Sequence, residues 1–489
     1  MFCVINLRTR AEKRPWRRWT RLCRAIVACA LGLAASEAGR GAAETPAPAF
    51  ASQVDALFAG SVRTNTPGAV VLVARNGKIL FEKECGLAQV EAGIPIKRAT
   101  RFRIGSITKQ FTAAAILKLQ EQGRLSVNDP ISKYIPDWPG GGQVTLRHLL
   151  THSSGIHNYT ANPAFQANVT VATPLDALVA SFKSNPRDFD PGDKFLYCNS
   201  GYTLLGFVIQ KVTGVPYGEC LQKTLFEPLG MRDTGAYPPR ETSRNEAFGY
   251  SYQNGTVRRS VNWEMSNVAA AGNLYSTARD LFLWNEALFA GNVLSEISTR
   301  AAFTVGFLSG DDPTHPEDTG YGYGWIIDRL NGAREISHGG ELAGFGSYLL
   351  RLPEYKLTVV VLLNCVPHLP GLQQWSLARE IARLALGPEL PSRAGDVALT
   401  DLPSGALEVI TGRYDMGNGL ILAVTREGRR VFMEIAGRKK FEILPRTDRI
   451  FFVEGGGAEA TFVRNAEGRV FKAILKQGGE RIDAPKLED

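Results

Sequence analysis

Phe102-Arg103-Ile104-Gly105-Ser106-Ile107-Thr108-Lys109-Gln110-Phe111-Thr112-Ala113-Ala114-Ala115-Ile116-Leu117 is the stretch on which the reading of this 489-residue chain turns. Its pattern predicts a helix over 106–122, stopped by Gly123. Phe111, Ala114, Ala115, Ile116, Leu117 and Leu119 make that helix apolar on most faces, so it belongs at the centre of a domain. Ser106 and Lys109 are three residues apart and share one helix face. A serine becomes a nucleophile only when a neighbouring base takes its proton. At the first turn of a helix the dipole disfavours an ammonium and favours a developing negative charge on the serine. An isolated Ser-x-x-Lys is ordinarily an N-cap followed by a solvated lysine. Here it is the only such spacing in the chain, and the helix is too apolar to lie on a surface.

Outward from that helix, residues 68–86 read as a β-hairpin. Asn76-Gly77 lies between two β-rich runs, where a type I′ turn needs two residues at positive φ. Helical patterns recur at 200–212, 277–289 and about 370–386. Strands are expected at Phe345–Leu352 and Leu357–Leu363, joined by a turn at 353–356. The segment 387–404 reads as a linker, and 405–489 carries short alternating runs near 419–425, 429–435, 440–445, 449–453, 460–464 and 469–476. Such spacing points to a separate small antiparallel barrel or sandwich.

The net charge of +8 invites a nucleic-acid or membrane-surface reading, but the excess sits at one end. Residues 1–24 hold eight basic side chains, an apolar run follows from Ala25 to Ala35, and small residues close it at Ser36-Glu37-Ala38. This is the order of a signal peptide over 1–38, with a periplasmic or secreted destination. Without it, 48 basic residues face 46 acidic ones, so no nucleic-acid partner is expected. Arg17-Arg18 is compatible with twin-arginine export. Arg24 just before Ile26-Val27-Ala28-Cys29 argues against a lipid anchor there. No later run is long and apolar enough to span a bilayer, so the mature chain is expected to lack a transmembrane segment. Cys85, Cys198, Cys220 and Cys365 lie outside the leader, far apart, and are expected to be mostly buried free thiols. The six histidines have no metal-ligand spacing, and no metal or cofactor is implied.

Two further segments could reach the serine. Tyr197-Cys198-Asn199 opens the helical run at 200, so Tyr197 could supply a phenolate base and Asn199 an amide, with Cys198 a packed thiol. The similar Tyr252-Gln253-Asn254 precedes Gly255 and reads as a hairpin turn. His338-Gly339-Gly340 ends a strand, where glycine lets a substrate approach the backbone as an added strand would. His338 could meet an acidic group or help move a proton, although a lone strand-end histidine is more often structural.

In this order and spacing, the three elements resemble the serine β-lactamase and penicillin-binding protein superfamily. The branch in view contains class C β-lactamases, DD-carboxypeptidases, D-aminopeptidases and related esterases. Phe102–Gly105, Leu149–Ile156 and Leu274–Leu281 add to the resemblance, which covers roughly 50–385; 405–489 is similar to the small barrel appended to many relatives. The resemblance implies an α+β hydrolase domain over 50–386: an antiparallel sheet flanked by helices, plus a helical subdomain. It implies that Ser106 forms an acyl-enzyme, with Lys109 and Tyr197 sharing proton transfer. Asn199 would hold Lys109 and the substrate amide, and the backbone N–H groups of Ser106 and Glu341 would form an oxyanion hole beside Gly339 and Gly340. His338 stands where class C β-lactamases carry lysine, while peptidase and esterase relatives carry histidine. His152 corresponds to a structural turn residue. The expected function is hydrolysis of a small-molecule or short-peptide substrate: a peptide, D-amino-acid amide or ester. The alternatives are a genuine β-lactamase and a non-catalytic cell-wall-binding protein. Oligomeric state is left open.

Overall fold

The computed structural model describes residues 48–237, 245–308, 320–390 and, apart from some turn residues, 404–487. The expected signal peptide lies outside the described residues. Among those described, no helix is long and apolar enough to cross a membrane.

Asn76 (φ 53°) and Gly77 (φ 73°) both take positive φ, as the hairpin turn requires. They join β1 (Ala69–Arg75) to β2 (Lys78–Cys85). Six more strands complete the sheet: β3 (Phe307–Leu308), β4 (Gly320–Tyr321), β5 (Ile326–Leu330), β6 (Ala333–Leu342), β7 (Phe345–Leu352) and β8 (Leu357–Leu363). Its order is β3-β4-β5-β6-β7-β8-β1-β2, with every pairing antiparallel. The earliest strand and the latest therefore pair inside the sheet, Ala69 opposite Leu363 and Arg75 opposite Leu357.

Both faces of that central pair are covered, which is why its sequence is a continuous apolar run rather than an alternating one. Alternate residues separate into two cores because side chains along a strand point to opposite faces. Val70, Leu72, Val360 and Leu362 face a core shared with α2 (Thr108–Glu121). Val71, Val73, Val359 and Val361 face a second core that also contains Val54 of α1 (Pro48–Ala59) and Leu377 and Ile381 of α5 (Gln374–Leu386). Between these layers' contributions to the chain run α3 (Asn199–Thr213), close to the expected 200–212, and α4 (Ala278–Phe289). A three-stranded sheet of Phe102–Arg103, Leu274–Ser276 and Gly235–Ala236, too short to show periodicity, leads into the turn before α2. Tyr250–Gln253 and Thr256–Arg259 form the hairpin expected around Asn254-Gly255.

A 3₁₀ turn at 387–389 follows α5, and Leu390 is buried in the second core, so the hydrolase packing extends a few residues into the segment read as a linker. Beyond the undescribed 391–403, eight strands pair each with the next between Gly412–Asp415 and Glu480–Pro485. A bridge from Tyr414 to Lys486 nearly closes them into an antiparallel barrel. Its first and last strands were not read from the sequence. Its core, with Tyr414, Leu422, Val424, Phe451 and Phe462, is drawn only from residues of this segment.

Candidate active site

Gly105, Ser106 and Ile107 form a 3₁₀ turn that runs directly into α2, so the expected helix starts tighter than an α-helix. Gly105 has φ +50°, and a Cβ there would lie 2.9 Å from the backbone nitrogen of Glu341. On the facing strand, a Cβ at Gly340 would stand 2.0 Å from the carbonyl oxygen of Ile104 and 2.8 Å from the nitrogen of Ser106. Glycine at both positions lets β6 and the serine turn touch backbone to backbone, which brings the Ser106 and Glu341 amides into one small region. Ser347 Oγ on β7 ties the contact together, donating to the Ile104 carbonyl at 2.8 Å.

Lys109 has no solvent-exposed surface. Its Nζ lies 2.9 Å from each of three oxygens: Ser106 Oγ, Asn199 Oδ1 and the Ala271 carbonyl. Burial holds its pKa well below the ordinary lysine value, outweighing an opposing contribution from Cys198. Two of the three oxygens are carbonyls and can only accept. An ammonium donates to all three; a neutral amine donates to Asn199 Oδ1 and Ala271 O and turns its lone pair to Ser106, whose hydroxyl then donates. The ring of Tyr197 has its centre 4.8 Å from Nζ.

Asn199 is the first residue of α3. Its Nδ2 donates to Thr160 Oγ1 at 3.0 Å, and the Thr160 hydroxyl donates to Asn158 Oδ1 at 3.0 Å. Asn158 Oδ1 also accepts the Asn199 backbone N–H at 3.1 Å. The amide orientation of Asn199 is thus fixed from both ends. Cys198 is buried and donates to the Ile156 carbonyl at 3.1 Å; like Cys85, Cys220 and Cys365 it is a free thiol.

His338 is brought to the same site, with both ring nitrogens taken up by its partners. Its Nδ1 is 2.6 Å from the Gly339 carbonyl and its Nε2 is 2.8 Å from the hydroxyl of Tyr321. Since a carbonyl cannot donate, the proton sits on Nδ1 and Nε2 accepts from Tyr321. Burial, opposed by the hydrogen bond with the Gly339 carbonyl, pushes its pKa down to about 3. Glu341, the next residue past Gly340, points its carboxylate outward to Gln374 Nε2 at 2.8 Å.

All eight residues singled out from the sequence, Ser106, Lys109, Tyr197, Asn199, His338, Gly339, Gly340 and Glu341, thus lie on segments that meet at one cleft. The sequence did not reveal Ala271, which acts through a backbone carbonyl that carries no sequence signal. It also did not reveal Tyr321, Thr160 and Ser347, which are single polar residues without a motif. His152, at φ +57°, is wedged beneath the site. Its ring centre is 4.3 Å from that of Tyr197, and its Nδ1 accepts the Cys198 N–H at 3.0 Å.

A sheet between two helical layers, with a buried lysine joined to a serine packed against its strands β6 and β7, is the arrangement of a serine hydrolase. The chain belongs to the Beta-lactamase family, whose model matches residues 54–384. It is 28% identical over 427 residues to Penicillin-binding protein 4* of Bacillus subtilis (strain 168), covering 84% of this chain and 93% of that protein. Among solved structures it is similar to the octameric penicillin-binding protein homologue from Pyrococcus abyssi, with a TM-score of 0.63 and 27% identity over 89% of this chain and 99% of that one. It is also similar to a D-stereospecific amidohydrolase from Streptomyces sp., with a TM-score of 0.54 and 28% identity over 65% of this chain and 95% of that one.

Proposed function

We propose that this protein hydrolyses a peptide, D-amino-acid amide or ester through an acyl-enzyme on Ser106. The observation that carries the proposal is the Lys109 amine, fully buried and 2.9 Å from Ser106 Oγ, with its other partners both acceptors. Lys109 takes the hydroxyl proton as Ser106 attacks the substrate carbonyl. The N–H groups of Ser106 and Glu341 receive the oxyanion, where one lost donor typically costs about 10²–10³ in rate. Tyr197, packed against the amine, relays a proton to the leaving group. A water then follows the same path in reverse and releases the acid. Asn199 positions Lys109 with Oδ1 and presents its second Nδ2 hydrogen to the acyl side of the substrate. Residues 1–38 direct the chain out of the cytoplasm, and 405–489 form a domain separate from the hydrolase at 50–386.

The test is labelling of the intact protein with a fluorophosphonate, with the adduct located by mass spectrometry. It is followed by a screen of esters, D-aminoacyl amides and nitrocefin against wild type and Ser106→Ala. An adduct on Ser106 and turnover lost in Ser106→Ala are expected. An unlabelled Ser106, or turnover that survives the substitution, overturns the proposal. Turnover of nitrocefin alone would make the protein a β-lactamase instead.

A further inference from the structure

The pair Tyr321 and His338 is not needed for the proton path above, yet it occupies the cleft wall beside Gly339 and Gly340. Both imidazole nitrogens are committed, Nδ1 to the Gly339 carbonyl and Nε2 to the Tyr321 hydroxyl. Both rings are buried. Tyr321 cannot rotate away easily, because its ring packs at 4.6 Å from His152 and 5.8 Å from Phe195, and its backbone is paired in β4. The groups that face His338 add no negative charge: Lys109 from α2, Tyr197 from the segment before α3, and His152 beneath them. A second proton on Nε2 would have to displace the Tyr321 hydroxyl in a dry site next to an amine. Among the described residues that face His338, none presents a cation to a substrate carboxylate.

We propose, building on the acyl-enzyme reading above, that Tyr321 locks His338 as a neutral wall, and that the substrate therefore carries no carboxylate on its leaving-group side. This selects neutral amides and esters over free C-terminal peptides and over β-lactams, whose ring carboxylate would arrive unpaired. Burying an unpaired charge is the strongest form of rejection available to such a site. Tyr321 is a positioning residue here, acting through His338.

Two thioesters with the same N-acyl-D-alanyl group measure this directly, one leaving as thioglycolate and the other as thioglycolamide. Wild type is expected to favour the amide by about tenfold or more in kcat/KM. His338→Lys should move the ratio at least about tenfold toward the carboxylate substrate. Tyr321→Phe frees Nε2, so its ratio should drift toward the carboxylate between pH 8 and 5.5, whereas that of wild type stays flat. A merely structural role for Tyr321 would lower both substrates together and leave the ratio fixed, which overturns the proposal, as does a wild type that prefers thioglycolate. A second measurement is independent of turnover: ¹⁵N imidazole NMR of Ser106→Ala. The Nδ1–H neutral tautomer is expected to persist from pH 8 to 5, and an imidazolium forming near pH 6.5 overturns the clamp. If Ser106 takes no fluorophosphonate and neither thioester turns over, the acyl-enzyme reading fails, and the NMR result still decides the clamp.

Discussion

The two eight-stranded sheets of this protein are covered in opposite ways. The interior of the C-terminal barrel is apolar, with Thr461 as the buried polar side chain among its described residues. The interior of the sheet at 69–363 is laced with Lys109, His152, His338, Glu335, Arg351 and Asp280, all buried. Apolar burial stabilises at about 25 cal/mol per Å², whereas each buried ionisable group must be neutralised or fully paired. The larger sheet therefore sacrifices some stability to hold polar groups in a dry site, a cost that the described barrel interior does not carry. Arg379 with Glu335 and Asp328 shows the paired solution, with contacts of 2.8 and 2.5 Å. At Lys109 burial instead disfavours the charged form.

Substitutions can break that contrast at several strengths. Lys109→Met should lower kcat by about 10²–10⁴, the usual share of a general base. It should also raise unfolding stability by about 1–3 kcal/mol, because a buried amine is replaced by an apolar chain of similar size. Denaturant titration checks the second part, and a destabilised variant would show that the amine is held as a paired cation. Phe462→Ala in the barrel should do the reverse, costing about 3–5 kcal/mol of stability with kcat/KM unchanged within about twofold. Loss of catalysis there, measured below the unfolding midpoint, would mean that the two sheets are coupled.

Acid sharpens the comparison further. His338 binds its proton near pH 3 in the folded state but near 6.5 unfolded, so the unfolded chain takes up more protons as pH falls below about 6.5. Stability present above that pH should be lost toward pH 3, with a slope approaching about 1.4 kcal/mol per pH unit. His152, whose pKa burial also lowers, adds in the same direction. Chemical denaturation at pH 7, 6 and 5 should show a shallower slope in His338→Gln; equal slopes would place the acid sensitivity elsewhere. The smallest effect belongs to Thr160→Val. It removes two hydrogen bonds, from Asn199 Nδ2 and to Asn158 Oδ1, of which the first orients Asn199 and is worth about 1 kcal/mol, so kcat/KM should fall about fivefold.

How much of this was legible in the sequence follows from how local each cause is. The hairpin at Asn76-Gly77, α2, α4, β7 and β8 were readable because short-range rules set them: positive φ in a tight turn, helix stops, and runs of β-branched residues. The Ser106–Lys109 contact was readable because a helix fixes it within one turn. Tyr321 against His338, and the Ala271 carbonyl against Lys109, join residues 17 and 162 positions apart through the fold itself. Their composition holds no trace of the pairing. A lowered lysine pKa was anticipated from the helix dipole and from burial in so apolar a helix, and burial is its chief cause in the structure. The first and last barrel strands escaped notice because Gly412-Arg413-Tyr414-Asp415 and Glu480-Arg481-Ile482-Asp483-Ala484-Pro485 are mostly charged or turn-type residues with few β-formers.

The pairing of β1 with β8 has a kinetic consequence. Residues 69–75 emerge early from the ribosome, but their central neighbour is 357–363. Until that segment arrives, Ala69-Val70-Val71-Leu72-Val73-Ala74 has an open hydrogen-bonding edge and a sequence suited to pairing with any other chain. Non-local closures of this kind slow folding, since chain entropy is lost long before contacts repay it. A nascent chain cut short before residue 357 should therefore aggregate rather than fold in part, and delivering this protein unfolded across a membrane would postpone that hazard until the whole sheet can form at once.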